Sequence, residues 1–275
     1  MQDTNVLRTL EELDWARQNN PAVLEHYLGQ VTILEDLKKY LRFLDDNEIT
    51  TTLTTELKRH KRREKGIHPS SACKKNVCLL KLYYECTFAI EPAKKFDAQS
   101  QLTWDIGTML HVMLQTHLKA MYGEQFQYEV PLRRGAIKSS TDGLFSFTNY
   151  RFILEIKSIK EGGNFGWETI QAKPMEDNVR QAHFYMWLAN VPMALLFYIN
   201  KNGSEFKEHA VVFDPDTWSE IERDVLQPVV STVYENGPMV PARPGWHCKW
   251  CDFAHSCPER GGKQDGDSDW SEKRP

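Results

Sequence analysis

Two groups of residues in this 275-residue sequence have types and spacings that could do chemistry. The first is the segment TDGLFSFTNYRFILEIKSI, residues 141–159. Strand alternation in its second half sends Phe152, Leu154 and Ile156 to one face and Ile153, Glu155 and Lys157 to the other. With Thr148-Asn149 as a two-residue hairpin loop, Phe147 pairs with Tyr150 and Asp142 falls opposite Glu155. Two carboxylates and an ammonium then converge beside a hydrophobic core. Carboxylates brought together repel unless a cation joins them, and hard oxygen donors suit Mg²⁺ or Mn²⁺. Such an ion stabilises charge on a phosphodiester and acidifies a bound water. A lysine two residues from the ligand can orient or deprotonate that water.

The second group is cysteine. Cys248, Cys251 and Cys257 form a C-x2-C-x5-C pattern in a Gly/Pro-flanked region, and Cys73, Cys78 and Cys86 form an earlier cluster. A two-residue gap lets both thiolates face one ion, as in zinc and iron–sulfur sites. Three ligands need a fourth, which the early cluster can offer. Four thiolates suit either metal, and His247 and His255 keep a Cys/His zinc site open.

The elements that must position these residues read as mixed α/β. Strands are expected near 127–132, 143–147, 152–159, 194–199 and 208–213. Helices are expected near 77–86, 103–121 and 179–189, with another from an Asp214 or Asp216 cap to about Tyr234. Residues 1–66 read as an N-terminal helical extension, with Val31, Leu34, Leu37, Leu41 and Leu44 at helical spacing. It ends in a basic run, where Lys58, Arg59, Lys61, Arg62, Arg63 and Lys65 crowd together. That run is either a solvated face or a phosphate contact. The Gly66-Ile67-His68-Pro69 stretch marks a boundary, a core domain follows over 67–258, and the Gly- and acid-rich residues 259–275 read as a disordered tail.

Composition bounds the rest. With 41% apolar and 26% charged residues the chain is neither disordered nor collagen-like. Its net charge of −4 does not by itself suggest nucleic acid. Six cysteines are too sparse for a disulfide-stapled secreted scaffold, and clustered cysteines in a reducing compartment favour metal ligation. The first residues lack a signal-peptide pattern, and no apolar run approaches the ~18 residues needed to span a bilayer. A soluble cytoplasmic protein without membrane association is expected.

Asp142-Gly followed by Glu155-Ile-Lys157 resembles the PD-(D/E)xK nuclease signature, and its neighbours resemble the RecB-like branch. Gly107-Thr-Met-Leu-His111 is similar to that branch's G-T-x-x-H helix, Glu129-Val-Pro to its acidic strand, and Gln181-Ala-His-Phe-Tyr185 to its Q-x3-Y helix. The resemblance covers about residues 70–258. It implies a restriction-endonuclease-like mixed sheet flanked by helices. It also implies that His111, Asp142, Glu155, the Ile156 carbonyl and, less firmly, Glu129 bind Mg²⁺ or Mn²⁺. Lys157 would be the catalytic lysine, with Gln181 and Tyr185 orienting it or the DNA backbone. The start SSACKKNVCLLKLYYE resembles that of RecB-like nucleases carrying a [4Fe–4S] cluster. Its ligands would be Cys78, Cys248, Cys251 and Cys257, with Cys73 as an alternative to Cys78 and Zn²⁺ as an alternative metal.

The function so implied is a metal-dependent DNA exonuclease in recombination or DNA processing, similar to phage recombination exonucleases, CRISPR-associated exonucleases and the AddB nuclease domain. A CRISPR-adaptation or structure-specific endonuclease stays open, as does a non-catalytic, cluster- or zinc-stabilised DNA-binding module. DNA is the implied partner. A recombination or single-strand-annealing protein and a second copy of the chain remain open as further partners, as does a host-cell cytoplasmic location if the chain is phage-encoded.

Overall fold

The run MALLFYIN at 193–200 lacks polar alternation, so both its faces must be covered. In the computed structural model it is a strand buried at every position. The structure describes residues 6–42, 66–93, 98–163, 166–203 and 205–260. Among these, β1 (Phe126–Arg134), β2 (Ile137–Ser146), β3 (Arg151–Ile159), β4 (Met193–Asn200) and β5 (Phe206–Val212) form one mixed sheet in the order β1-β2-β3-β4-β5. Neighbours are antiparallel except β3 and β4, which run parallel. A parallel pair needs a crossover, which helix α6 (Glu176–Ala189) supplies.

The hairpin has the register expected from its turn. Phe145 pairs with Phe152, Gly143 pairs with Leu154, and the Phe147 N–H donates to the Tyr150 carbonyl at 3.0 Å. Gly143 is required by packing. A Cβ there would stand 2.4 Å from Cε2 of the fully buried Phe126 and 3.2 Å from Leu154 Cβ. Gly143→Ala is therefore expected to cost about 1–3 kcal/mol by overpacking. Urea unfolding would show a lower midpoint with an unchanged slope.

Helix α5 (Ala98–Tyr122) lies on the sheet face of Ser158, whose Oγ would be 3.2 Å from a Cβ on Gly107. Helix α6 covers the opposite face, where Gln181 reaches Lys157. Helix α4 (Leu79–Thr87) precedes them, capped by Cys78. The C-terminal helix begins at Asp214, whose carboxylate accepts the Asp216 and Thr217 N–H groups. It is not one continuous α-helix. A π-helical stretch, Glu222–Leu226, separates Pro215–Ile221 from Gln227–Tyr234, just before Pro228, which has no N–H for the ladder.

The N-terminal residues are divided into α1 (Leu10–Asn19), α2 (Pro21–Leu28) and α3 (Leu34–Arg42), broken at Pro21 and Gly29. They share the core with the sheet. Leu7, Leu13, Ala16, Ile33 and Leu37 are buried, and the Leu7 N–H donates to the Asn149 carbonyl beside the hairpin turn at 2.8 Å. Glu208 of β5 accepts the Ile33 and Leu34 N–H groups at 3.1 and 3.2 Å, capping α3 from outside the helix. Among the described residues no helix is long and apolar enough to cross a membrane.

Candidate active site

Where the β2–β3 ladder ends at Gly143–Leu154, the Asp142 side chain takes over a backbone role. Its Oδ2 accepts the Ile156 N–H at 2.7 Å. Its Oδ1 lies 3.5 Å from His111 Nδ1 on α5. Glu155 is buried at 2% exposure; its Oε1 accepts from Lys157 Nζ at 2.5 Å, and its Oε2 is buried with no hydrogen-bond partner. Lys157 Nζ also donates to Gln181 Oε1 at 3.0 Å. Gln181 Nε2 in turn donates to the Tyr185 hydroxyl at 3.2 Å, one helical turn away, and Ser139 Oγ donates to the same hydroxyl at 3.4 Å. His111, Asp142, Glu155, Ile156, Lys157, Gln181 and Tyr185 are thus brought to one place.

Burial and opposite charge act against each other there. Burial, aided by the neighbouring Asp142 charge, pushes Glu155 up to about 7 despite Lys157. Burial also disfavours charge on Asp142, but His111, Lys157 and the Ile156 N–H hold its carboxyl below the ordinary range. Burial works against the Lys157 ammonium, yet Glu155 and Asp142 hold it above its usual value. His111 is likewise raised, because Asp142 outweighs its desolvation.

Glu129 joins this row. Tyr128 pairs with Gly143 and Val130 with Thr141, which places Glu129 opposite Asp142. Its φ of 50° is left-handed, unusual for a side-chain-bearing residue inside a strand. Gln115 Nε2 donates to Glu129 Oε1 at 3.1 Å and to the Asp142 carbonyl at 2.9 Å, and Ser140 Oγ donates to Glu129 Oε2 at 3.0 Å. Gln115, Ser139 and Ser140 are additions to the set read from sequence. Gln115 had a legible signal, since it lies one helical turn after His111 on the same stripe. The two serines had none.

Hard carboxylate oxygens, an imidazole and a backbone carbonyl form a donor set suited to Mg²⁺ or Mn²⁺. The partnerless buried Glu155 Oε2 fits such an ion, because an acceptor left without a donor is costly in the interior. Among the described residues no three His, Cys, Asp or Glu side chains close around one point as they stand. Asp142 and Glu155 are turned toward the Ile156 N–H and Lys157 instead.

The cysteines separate into two kinds. Cys78, Cys248, Cys251 and Cys257 line one cavity together with Arg243, Pro244 and His247. The Arg243 N–H donates to Cys78 Sγ at 3.4 Å and the Gly245 N–H to Cys248 Sγ at 3.3 Å. Cys78 is also the N-cap of α4, at the positive end of that helix. Cys73 and Cys86 are buried elsewhere, both thiols pushed up to about 12 chiefly by burial, and neither lines the cavity. None of the six cysteines is in a disulfide. Four thiols in one cavity suit either an iron–sulfur cluster or zinc. His247 turns its Nε2 to the Arg243 carbonyl, and His255 does not line the cavity. The basic residues Lys58, Arg59, Lys61, Arg62, Arg63 and Lys65, and the tail from Gly261, lie outside the described residues.

No family model and no curated protein matches the chain. Among solved structures it is similar to the protein SSO0001, at 20% identity and a TM-score of 0.48, over 84% of this chain and 98% of that one. It is also similar to an alkaline exonuclease, LHK-Exo, from Laribacter hongkongensis, at 16% identity and a TM-score of 0.45, over 62% of this chain and 89% of the exonuclease. The same exonuclease in complex with dAMP gives 18% identity and a TM-score of 0.45, over 62% and 91% of the two chains.

Proposed function

We propose that this chain is a metal-dependent deoxyribonuclease of the PD-(D/E)xK class, hydrolysing phosphodiester bonds from DNA ends. The observation that carries the reading is the Asp142–Glu155–Lys157 constellation at the opening of the β2–β3 hairpin, its Glu155 buried with a partnerless carboxylate oxygen and its Asp142 and Lys157 half-buried beside it. A fold with no chemistry to perform gains nothing from an acceptor desolvated and left unpaired.

His111, Asp142, Glu155 and the Ile156 carbonyl would hold the ion, with Glu129 next in the row. When bound, the ion supplies Lewis acidity toward a phosphodiester oxygen and acidifies water. The protein's own groups do the rest. Lys157, hydrogen-bonded to Glu155 and Gln181, is placed to orient the attacking water and counter charge on the phosphate. Gln181 fixes the lysine through its Oε1, and the Tyr185 hydroxyl fixes Gln181. Asp142 holds the Ile156 N–H, which sets the carbonyl-bearing strand against it.

The cysteine cavity would hold a [4Fe–4S] cluster, its ligands Cys78, Cys248, Cys251 and Cys257 supported by N–H donors to two of the sulfurs. Its contribution is structural, tying the chain end to the start of α4.

The test is cleavage of end-labelled linear DNA and of covalently closed circles, each with Mg²⁺ or Mn²⁺. Release of nucleotides from linear DNA with circles left intact is expected. Cut circles would favour the endonuclease alternative, and no cleavage with either ion would overturn the enzymatic reading.

A further inference from the structure

Three of the groups assigned to the ion stand on three different elements: His111 on α5, Glu129 on β1 and Asp142 on β2. One side chain reaches two of those elements from the third. Gln115 is 3% exposed and lies one helical turn beyond His111. Its Nε2 donates to Glu129 Oε1 at 3.1 Å and to the Asp142 carbonyl at 2.9 Å, which occupies both amide hydrogens. The helix that carries His111 and the strands that carry the two acids are thus tied at one buried amide.

The carboxylate held there differs from the other two. Asp142 has His111 beside it, and Glu155 has Lys157, so each of those acids faces a basic group. Glu129 is held by Gln115 and by the Ser140 hydroxyl, both neutral, and forms no ion pair among the described residues. It is also exposed, whereas Gln115 is not. A neutral donor fixes the direction of a carboxylate and leaves its charge uncompensated. An oxygen ligand of that kind suits a hard divalent cation.

The backbone singles out the same residue. Tyr128 and Val130 keep their pairing with Gly143 and Thr141, while Glu129 between them has a φ of 50°. Left-handed geometry in a residue with a side chain is strained, and such strain collects at ligand-binding positions.

We infer that Gln115 is a positioning residue, which holds the Glu129 carboxylate beside Asp142 with its charge left for a divalent ion. This role rests on the reading of the chain as a metal-dependent nuclease and deepens it. Replacing the amide by an ammonium separates the role from simple packing. A lysine at 115 can still tie α5 to Glu129, but it neutralises the carboxylate it holds.

The experiment is Mn²⁺ binding to the full-length protein without DNA, read from the paramagnetic resonance signal of the free ion. Gln115→Ala is expected to weaken binding about 10-fold, the low end of the loss when a ligand's hydrogen-bond partner is removed. In a Glu129→Gln background the same substitution is expected to change affinity about 2-fold or less, because no charge remains to be positioned. Gln115→Lys is expected to bind Mn²⁺ no better than Gln115→Ala. Ser140→Ala removes the other donor to Glu129 and should weaken binding about 3-fold. Ser140 and Glu129 are exposed, so their variants keep the test decisive where position 115 does not tolerate substitution. Wild-type affinity in Gln115→Ala or in Glu129→Gln, an equal loss in both backgrounds, or recovery in Gln115→Lys would each overturn the role and leave the nuclease reading standing. A wild-type protein that binds no Mn²⁺ and cuts no DNA would bring down both.

Discussion

Asp142→Asn protein is expected to lose about three orders of magnitude of DNA cleavage, a size typical of removing one group that acts on the reacting atoms. Asparagine keeps an oxygen that can accept the Ile156 N–H, so the hairpin mouth is preserved while the charge is removed. Lys157→Ala should lose activity to a similar extent, for a different reason. Isothermal titration with Mg²⁺ separates the two roles. Asp142→Asn and Glu155→Gln are expected to bind the ion weakly or not at all, whereas Lys157→Ala binds it and still fails to cut. Thermal melts close to wild type would show that the losses are chemical. Unchanged cleavage in either Asp142→Asn or Lys157→Ala would sink the catalytic assignment.

The parts of this site that were legible in the sequence are those set by strand periodicity and turn length. Glu155 and Lys157 share a face because they are two residues apart, and a two-residue loop at Thr148-Asn149 fixes the register that faces Asp142 toward Glu155. Gln181 and Tyr185 share a helical stripe for the same kind of reason. β2 was legible only from Gly143 onward, although it begins at Ile137. Residues 138–141 read Lys-Ser-Ser-Thr, which has no apolar alternation, and they become strand because β1 pairs with them. Ser139 and Ser140 enter the site through that pairing, which no local pattern announces. The left-handed backbone of Glu129 was equally hidden. Its carboxylate is held by Gln115 from α5 and Ser140 from β2, partners distant in sequence. At the N-terminus, Leu41 keeps the helical spacing but is 38% exposed, because periodicity marks a face without saying whether anything covers its end.

Cys78→Ala protein is expected to lose its bound metal and to melt about 10–15 °C below wild type. Cys248 lies in one short 3₁₀ turn that Cys251 ends, and Cys257 ends another. The contacts back to α4 include a Tyr84–Phe253 ring pair at 5.5 Å, a long Tyr84 hydroxyl bond to the Ser256 carbonyl and the Arg243 N–H on Cys78 Sγ. A link from Cys78 to Cys248 closes a loop of about 170 residues, for which loop-closure entropy alone gives about 5 kcal/mol. For a domain of this size each kcal/mol is worth about 2–4 °C, so the expected shift follows. Cys86→Ala is the control. Its thiol is buried away from the cavity, so that protein should keep its metal and lose only the modest packing of a small side chain. Metal and sulfide analysis of anaerobically purified protein decides what the site holds. Four irons with matching sulfide per chain are expected, a single zinc would replace the cluster by the zinc alternative, and a Cys78→Ala protein as stable as wild type would remove the staple altogether.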